Sequence, residues 1–260
     1  MNLTLFSTAK PFNGQVATHQ TNAMTSWTQI KPRPEIMLYG NELGVGAIAK
    51  QLGAIHHDNV VMLDGVPLLD SLFSQALGHA SHDYLVYVNA DVMVIDGLAE
   101  AVQQVVELFP DGFLGVCRRW DIRLDEPLDF SQDWRGLVRD RVADHGTLHS
   151  DCSSDIFVFP RPLWELAPFS VGRPGWDNWM FFKATDVGWP VVDLTAVVMT
   201  AHPEHNHGPD GQMGVRNFWR TDHLAKRNGL LVGGEQYCFR HVQRAGYLWD
   251  IMSDGVVRKL

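Results

Sequence analysis

At 260 residues the chain is long enough to bury a large core, and with 45% hydrophobic and 20% charged residues it has the make-up of a globular protein, neither disordered nor fibrous. A formal net charge of −9 argues against non-specific nucleic-acid binding, which needs a basic surface. The cysteines at 117, 152 and 238 are odd in number and far apart, so they make neither a disulfide framework nor a CxxC metal site and fit a reducing cytoplasm. The N-terminal stretch Met1 to Ser7 lacks a basic segment followed by a long apolar one, and no apolar run is long enough for a bilayer, so the sequence predicts neither secretion nor an integral membrane segment.

In chain order, Leu3 to Phe6 reads as a strand, followed by the turn Lys10-Pro11-Phe12-Asn13-Gly14 and a helix marked by Val16, Gln20, Ala23, Met24 and Trp27. Glu35 to Tyr39 is a second strand, which ends in Gly40-Asn41-Glu42 before a helix on Val45, Ile48, Ala49 and Leu52. Asn59 to Leu63 is read as a third strand, with Asp64-Gly65-Val66-Pro67 turning into a helix on Leu68, Leu72, Phe73 and Ala76. Tyr84 to Val92 is the organising stretch: an apolar run of the kind buried on both faces, ending in Asn89-Ala90-Asp91. With the alternating geometry of a strand, Asn89 and Asp91 face the same way and Ala90 leaves room for a ligand to approach the backbone.

A helix over about Gly97 to Phe109 and a strand over Phe113 to Cys117 complete a series of βα units, which predicts an α/β fold with a mostly parallel central sheet flanked by helices. From Arg118 to Ser150 the pattern dissolves into a long polar loop with a short helix at Trp134 to Val142. Asp155 to Phe159 is a strand, and Gly172-Arg173-Pro174-Gly175 presents Trp176-Asp177-Asn178-Trp179 at the start of a helix running to about Asp186. Val191 to Thr200 is apolar and β-branched and leads into His202, His205 and His207. The remainder reads as one or two helices and a terminal strand pair. The expected organisation is one domain over 1–260, with a nucleotide-binding half to about 117, an acceptor and metal half over about 118–217 and a C-terminal extension over about 218–260.

Several side chains carry chemistry, each with a plainer role beside the functional one. Asp91, at the strand end where open α/β sheets keep their sites, is placed to hold a divalent cation, or with Asn89 it caps the following helix. His202, His205 and His207 have ligand character or form a polar surface loop. Asp177 caps its helix or acts as a general base, with Trp176 and Trp179 either a sugar-binding surface or core. Asp155 is structural or faces the acceptor, and Lys10 and Arg173 meet phosphate oxygens or are solvated.

The βα-layered first half, the Asn89-Ala90-Asp91 strand end and the later Gly172 to Asn178 stretch together resemble nucleotide-sugar glycosyltransferases of the GT-A fold, over roughly residues 2 to 207. The resemblance implies transfer of a sugar from a UDP- or GDP-sugar to an acceptor hydroxyl whose identity is open, with Mn2+ or Mg2+ as cofactor. Those enzymes carry Asp-Xaa-Asp at this strand end. Here Asn89 takes the first place, which leaves Asp91 as the metal ligand and moves Asn89 to hydrogen bonding near the nucleotide. The resemblance further implies Glu42 at the base or ribose, Asp64-Gly65 as a nucleotide-contacting turn, one of the three histidines completing the metal shell, and Asp177 as the base of an inverting reaction. The rival readings are a sugar-nucleotide nucleotidyltransferase, although Ser7 to Pro11 lacks its glycine-rich loop, a non-catalytic nucleotide- or sugar-binding protein, and a histidine-based metallohydrolase.

Overall fold

Nine strands form the central sheet of the computed structural model, in which residues 1–150, 153–204 and 221–233 are described together with the backbone of 248–251 and 257–259. The first half comprises β1 (Thr4–Thr8), α1 (Gly14–Thr28), β2 (Glu35–Tyr39), α2 (Val45–Leu52), β3 (Ile55–His57), β4 (Met62–Leu63), β5 (Val66–Pro67), α3 (Leu69–His79), β6 (Tyr84–Val88), β7 (Met93–Asp96), α4 (Leu98–Leu108) and β8 (Leu114–Cys117). The second half adds β9 (Trp120–Ile122), α5 (Trp134–His145), β10 (Thr147–Leu148), β11 (Ile156–Pro160), α6 (Trp176–Asp186), β12 (Val191–Asp193), β13 (Met199–Pro203), α7 (His223–Val232), β14 (Leu248–Ile251) and β15 (Val257–Lys259). Among the described residues, no helix is long and apolar enough to cross a membrane.

The strand order is β15-β14-β12-β8-β11-β6-β1-β2-β3. All pairings are parallel except those of β11 with β6 and β8 and that of β14 with β15. Every residue of β1 is buried, as are the last four of β2 and β6, because helices cover both faces; this is why these strands read as unbroken apolar runs. Two apolar clusters fill the two sides, one around Leu5, Trp27, Val86 and Val102, the other around Phe6, Phe73, Tyr87 and Phe157.

A second sheet, β10-β9-β13-β7, stands at the end of β6. Its register decides what meets there: His202 of β13 pairs with Asp121 of β9 in parallel, and Ala201 pairs with Met93 just past Asp91. Gly97 locks the corner after β7. Its φ is +83°, and a Cβ there would lie 1.9 Å from the Val197 carbonyl oxygen in the turn before β13. Gly97→Ala is therefore expected to lower unfolding stability by about 3 kcal/mol in a urea titration, since backbone strain and overpacking add.

Four expectations about the elements need correction. The third strand is Ile55–His57, an exposed edge strand without an apolar run, while Met62–Leu63 and Val66–Pro67 form a separate hairpin closed by Asp64 and Gly65 at φ 51° and 76°. Pro67 thus sits in a strand, and α3 begins at Leu69. The apolar, β-branched stretch from Val191 to Thr200, to which the sequence assigned no element, is two strands in different sheets, divided by a turn in which Val197 and Val198 donate to the Leu194 carbonyl. The loop from Arg118 to Ser150 contains β9, β10 and a helix extending to His145. Finally, β6 stops at Val88, and Val92 N–H donates to Asn89 O at 3.0 Å, so residues 89 to 92 turn and the alternating geometry of a strand does not apply to Asn89 and Asp91.

Candidate functional site

Asn89 and Asp91 lie on a turn that α1 and β1 hold in place. Trp27 Nε1 donates to the Val92 carbonyl at 2.9 Å, Val94 N–H donates to Ser26 Oγ at 3.0 Å, and Ser7 Oγ donates to the Val88 carbonyl at 2.6 Å. These buried polar contacts satisfy the backbone where the chain leaves the sheet, and they fix the outward course of residues 89 to 91. The two side chains then diverge. Asn89 donates from Nδ2 to Asp155 Oδ1 at 2.5 Å, and Asp91 Oδ2 stands 3.7 Å from His202 Nε2.

Antiparallel pairing of β11 with β6 puts Asp155 beside the strand end, where its carbonyl accepts the Asn89 N–H at 2.9 Å. Asp155 Oδ2 receives Arg119 Nη1 at 2.5 Å, and Arg119 Nε donates to Asp121 Oδ1 at 2.8 Å. Asp121 also takes His202 Nδ1 at 3.2 Å and His149 Nδ1 at 2.6 Å. A continuous network, buried at Arg119, Asp155 and His202 and partly exposed at Asn89, Asp91 and Asp121, therefore runs from Asn89 through Asp155, Arg119 and Asp121 to His202 and Asp91. Arg119 pairs with two of these carboxylates, Asp121 and Asp155, while Asp91 faces His202.

These contacts shift two titrations. Burial pushes the Asp121 carboxyl upward, but hydrogen bonds from His149 and His202 and the Arg119 guanidinium outweigh it and hold Asp121 well below the usual carboxylate range. For His202 burial disfavours the imidazolium, yet Asp121 and Asp91 prevail and raise its pKa. The position between Asp91 and His202 thus favours positive charge. A carboxylate oxygen suits a hard cation such as Mg2+ or Mn2+, an imidazole nitrogen suits a more borderline one, and a carboxylate behind the imidazole is the usual support for such a ligand. Among the described residues no three His, Cys, Asp or Glu side chains form a complete ion cage.

Asp177 follows Gly175, the N-cap of α6, and accepts backbone hydrogen bonds at the helix N-terminus. Burial pushes its pKa up to about 7; the N–H of Asn178 opposes the shift and the charge of Asp155 adds to it. Trp176, by contrast, is buried against Tyr87 and Phe157, with ring centroids 5.4 and 4.9 Å away. The expectation of an open sugar-binding ring there is corrected: at 6% exposure Trp176 belongs to the core. Trp179 is half-buried and packs edge-on against Phe169 at 5.3 Å.

At the neighbouring ends of β1 and β2, the Thr8 Oγ1 and Glu42 Oε2 atoms are buried and have no hydrogen-bond partner among the described residues. Both crowd Gly40, where a Cβ would lie 2.3 Å from Glu42 Oε2 and 3.4 Å from Thr8 Oγ1. Buried polar atoms without partners at the carboxyl edge of a parallel sheet mark a place for a polar ligand. Lys10 is exposed, its backbone held by Gln20 through two hydrogen bonds. Asp64 pairs with His223 at 2.8 Å, and Arg173 with Asp222, the N-cap of α7, at 3.3 Å. His205 and His207 lie outside the described residues, as do Cys152 and Cys238.

Arg119, Asp121 and His149 were not among the sequence candidates. The available signal was alternation in Arg119-Trp120-Asp121-Ile122, with the polar pair on one face and the apolar pair on the other, but three strand residues are too few to stand out from a loop.

No protein-family model matches this sequence, and no curated protein matches it. Among solved structures it is similar to glucosyl-3-phosphoglycerate synthase from Mycobacterium tuberculosis in complex with Mg2+ and uridine diphosphate. That likeness has 12% identity and a TM-score of 0.48, covering 91% of this chain and 79% of the other. It is also similar to the mannosyltransferase PcManGT from Pyrobaculum calidifontis in complex with GDP-Man and Mn2+, at 11% identity and a TM-score of 0.48, covering 89% of this chain and 74% of the other. With S. aureus TarS the likeness is 13% identity and a TM-score of 0.38 over 51% of this chain, which spans only 24% of TarS.

Proposed function

We propose that this chain is a metal-dependent glycosyltransferase of the GT-A kind, which moves a sugar from a nucleoside-diphosphate sugar to an acceptor hydroxyl with inversion. The observation that carries the reading is the meeting of Asp91 and His202 at 3.7 Å on the sheet's carboxyl edge. When bound there, Mn2+ or Mg2+ supplies Lewis-acid neutralisation of the charge that develops on the departing diphosphate.

The chain's own side chains do the rest. Asp91 and His202 hold the ion, and Asn89, tied to Asp155, shapes the floor beside it. Thr8 and Glu42 supply unpaired acceptor and donor capacity for the nucleoside. Asp177, with a pKa near the working pH, takes the proton from the acceptor hydroxyl as that oxygen attacks the anomeric carbon opposite the diphosphate. Trp179 and Arg173 flank this helix start on the acceptor side, Arg173 being anchored by Asp222.

Thermal denaturation against UDP, GDP, CMP and dTDP, each with and without Mn2+, tests the reading. Stabilisation by one nucleoside diphosphate only when Mn2+ is present is the expected result, amounting to about 2.7 kcal/mol at a hundredfold excess over Kd. A response to Mn2+ that no nucleotide alters would instead favour a metallohydrolase. NMR of the product anomer, read before mutarotation, checks inversion.

A further inference from the structure

Asp121 is the carboxylate on which the cluster converges, although it belongs neither to the strand-end motif nor to the histidine-rich segment. An ionised carboxylate only accepts hydrogen bonds, and this one is paired with the Arg119 guanidinium. Its Oδ1 takes Arg119 Nε at 2.8 Å and His202 Nδ1 at 3.2 Å, so the His202 Nδ1 carries a hydrogen. The other ring nitrogen, Nε2, is the one turned to Asp91. Parallel pairing of β9 with β13 puts residues 121 and 202 in register, which gives their side chains a common face.

Arg119 is 8% exposed at its side chain and divides its guanidinium between Asp121 and Asp155. It thereby joins the half of the cluster that carries Asn89 to the half that carries His202. A charged group this deeply buried is costly unless it is fully paired, so the pairing constrains where both carboxylates can lie.

We propose that Asp121 is the positioning residue of the Asp91–His202 site: by accepting from His202 Nδ1–H it fixes the tautomer and ring orientation that turn Nε2 to a divalent cation, while Arg119 holds Asp121 in place. The inference rests on the cation reading given above. It assigns Asp121 no contact with the ion; the carboxylate acts through the imidazole.

Two measurements test it on the full chain. Mn2+ binding in the presence of UDP, followed by the electron paramagnetic resonance of free Mn2+, is expected to weaken about 10- to 100-fold in Asp121→Asn, because the amide can donate to Nδ1 and turn the hydrogen to Nε2. Circular dichroism melting establishes that the variant is folded. Equal Mn2+ affinity in folded wild type and variant would overturn the inference alone, whereas wild type that binds no Mn2+ with UDP would overturn the cation reading and the inference with it. The second measurement reads the wild type itself. Nitrogen-15 NMR of the wild-type histidine rings with Mg2+ and UDP, assigned with His202→Gln, is expected to show His202 protonated at Nδ1 and bare at Nε2; the reverse tautomer would overturn the inference.

Discussion

Asp91→Asn is expected to remove Mn2+-dependent stabilisation by the nucleoside diphosphate and to reduce turnover to background at Mn2+ concentrations that saturate the wild type. The substitution keeps the side-chain volume and leaves the Asn89–Val92 turn intact, since that turn is a backbone contact. It removes the one carboxylate that faces His202 Nε2 without belonging to the Arg119 pairs. Changes behind a metal ligand typically cost roughly 10- to 100-fold in affinity, so loss of a charged ligand itself is expected to cost more. Folding stability should change little, because Asp91 retains partial solvent access. Isothermal titration of Mn2+ with UDP present gives the decisive number, and an Asp91→Asn protein whose Mn2+ affinity matches wild type would exclude this carboxylate as a ligand.

The parts of the fold that were legible in the sequence are those whose physics is local. β2, α2 and α6 occur at the boundaries expected from apolar periodicity, a glycine before each helix and turn residues between elements. Buried parallel strands such as β6 announce themselves because both faces must be apolar. The second sheet was illegible for the opposite reason: β7, β9, β10 and β13 are two to five residues long, and two of the three pairings among them join strands about 80 or more residues apart. Asp91 and His202 could be picked out one by one, as an end-of-strand carboxylate and an imidazole after an apolar run. Their partnership through Asp121 could not, because it depends on a register between strands about 80 residues apart. Trp176 shows the converse error. A tryptophan beside a helix-start carboxylate suggests a binding surface, but tertiary packing against Tyr87 and Phe157 absorbs the ring, and no local feature distinguishes the two outcomes.

Asp177→Asn should abolish turnover while sparing nucleotide and Mn2+ binding, because Asp177 lies at the start of α6 and outside the network that joins Asn89, Asp155, Arg119, Asp121, His202 and Asp91. Removing a general base typically costs 10² to 10⁴ in rate, roughly 3 to 5 kcal/mol of barrier. In the wild type, kcat/KM should rise with pH and level off above about 7, as the buried carboxyl gives up its proton. The same carboxyl leaves a trace in stability. Its pKa is raised from 3.8 to about 7 on folding, so between these values the folded chain holds a proton that the unfolded chain has lost. Stability must therefore fall as pH rises through that window and level off beyond it. Asp177→Asn has no such slope, and relative to wild type it should gain on the order of 2 kcal/mol above pH 7 and nothing near pH 4, a discount on the full shift for partial solvent access. Urea unfolding of both proteins across the window measures this directly. A variant that lost activity without this pH-dependent gain would show that Asp177 is an ordinary ionised helix cap, and a variant with full activity would remove it from the reaction.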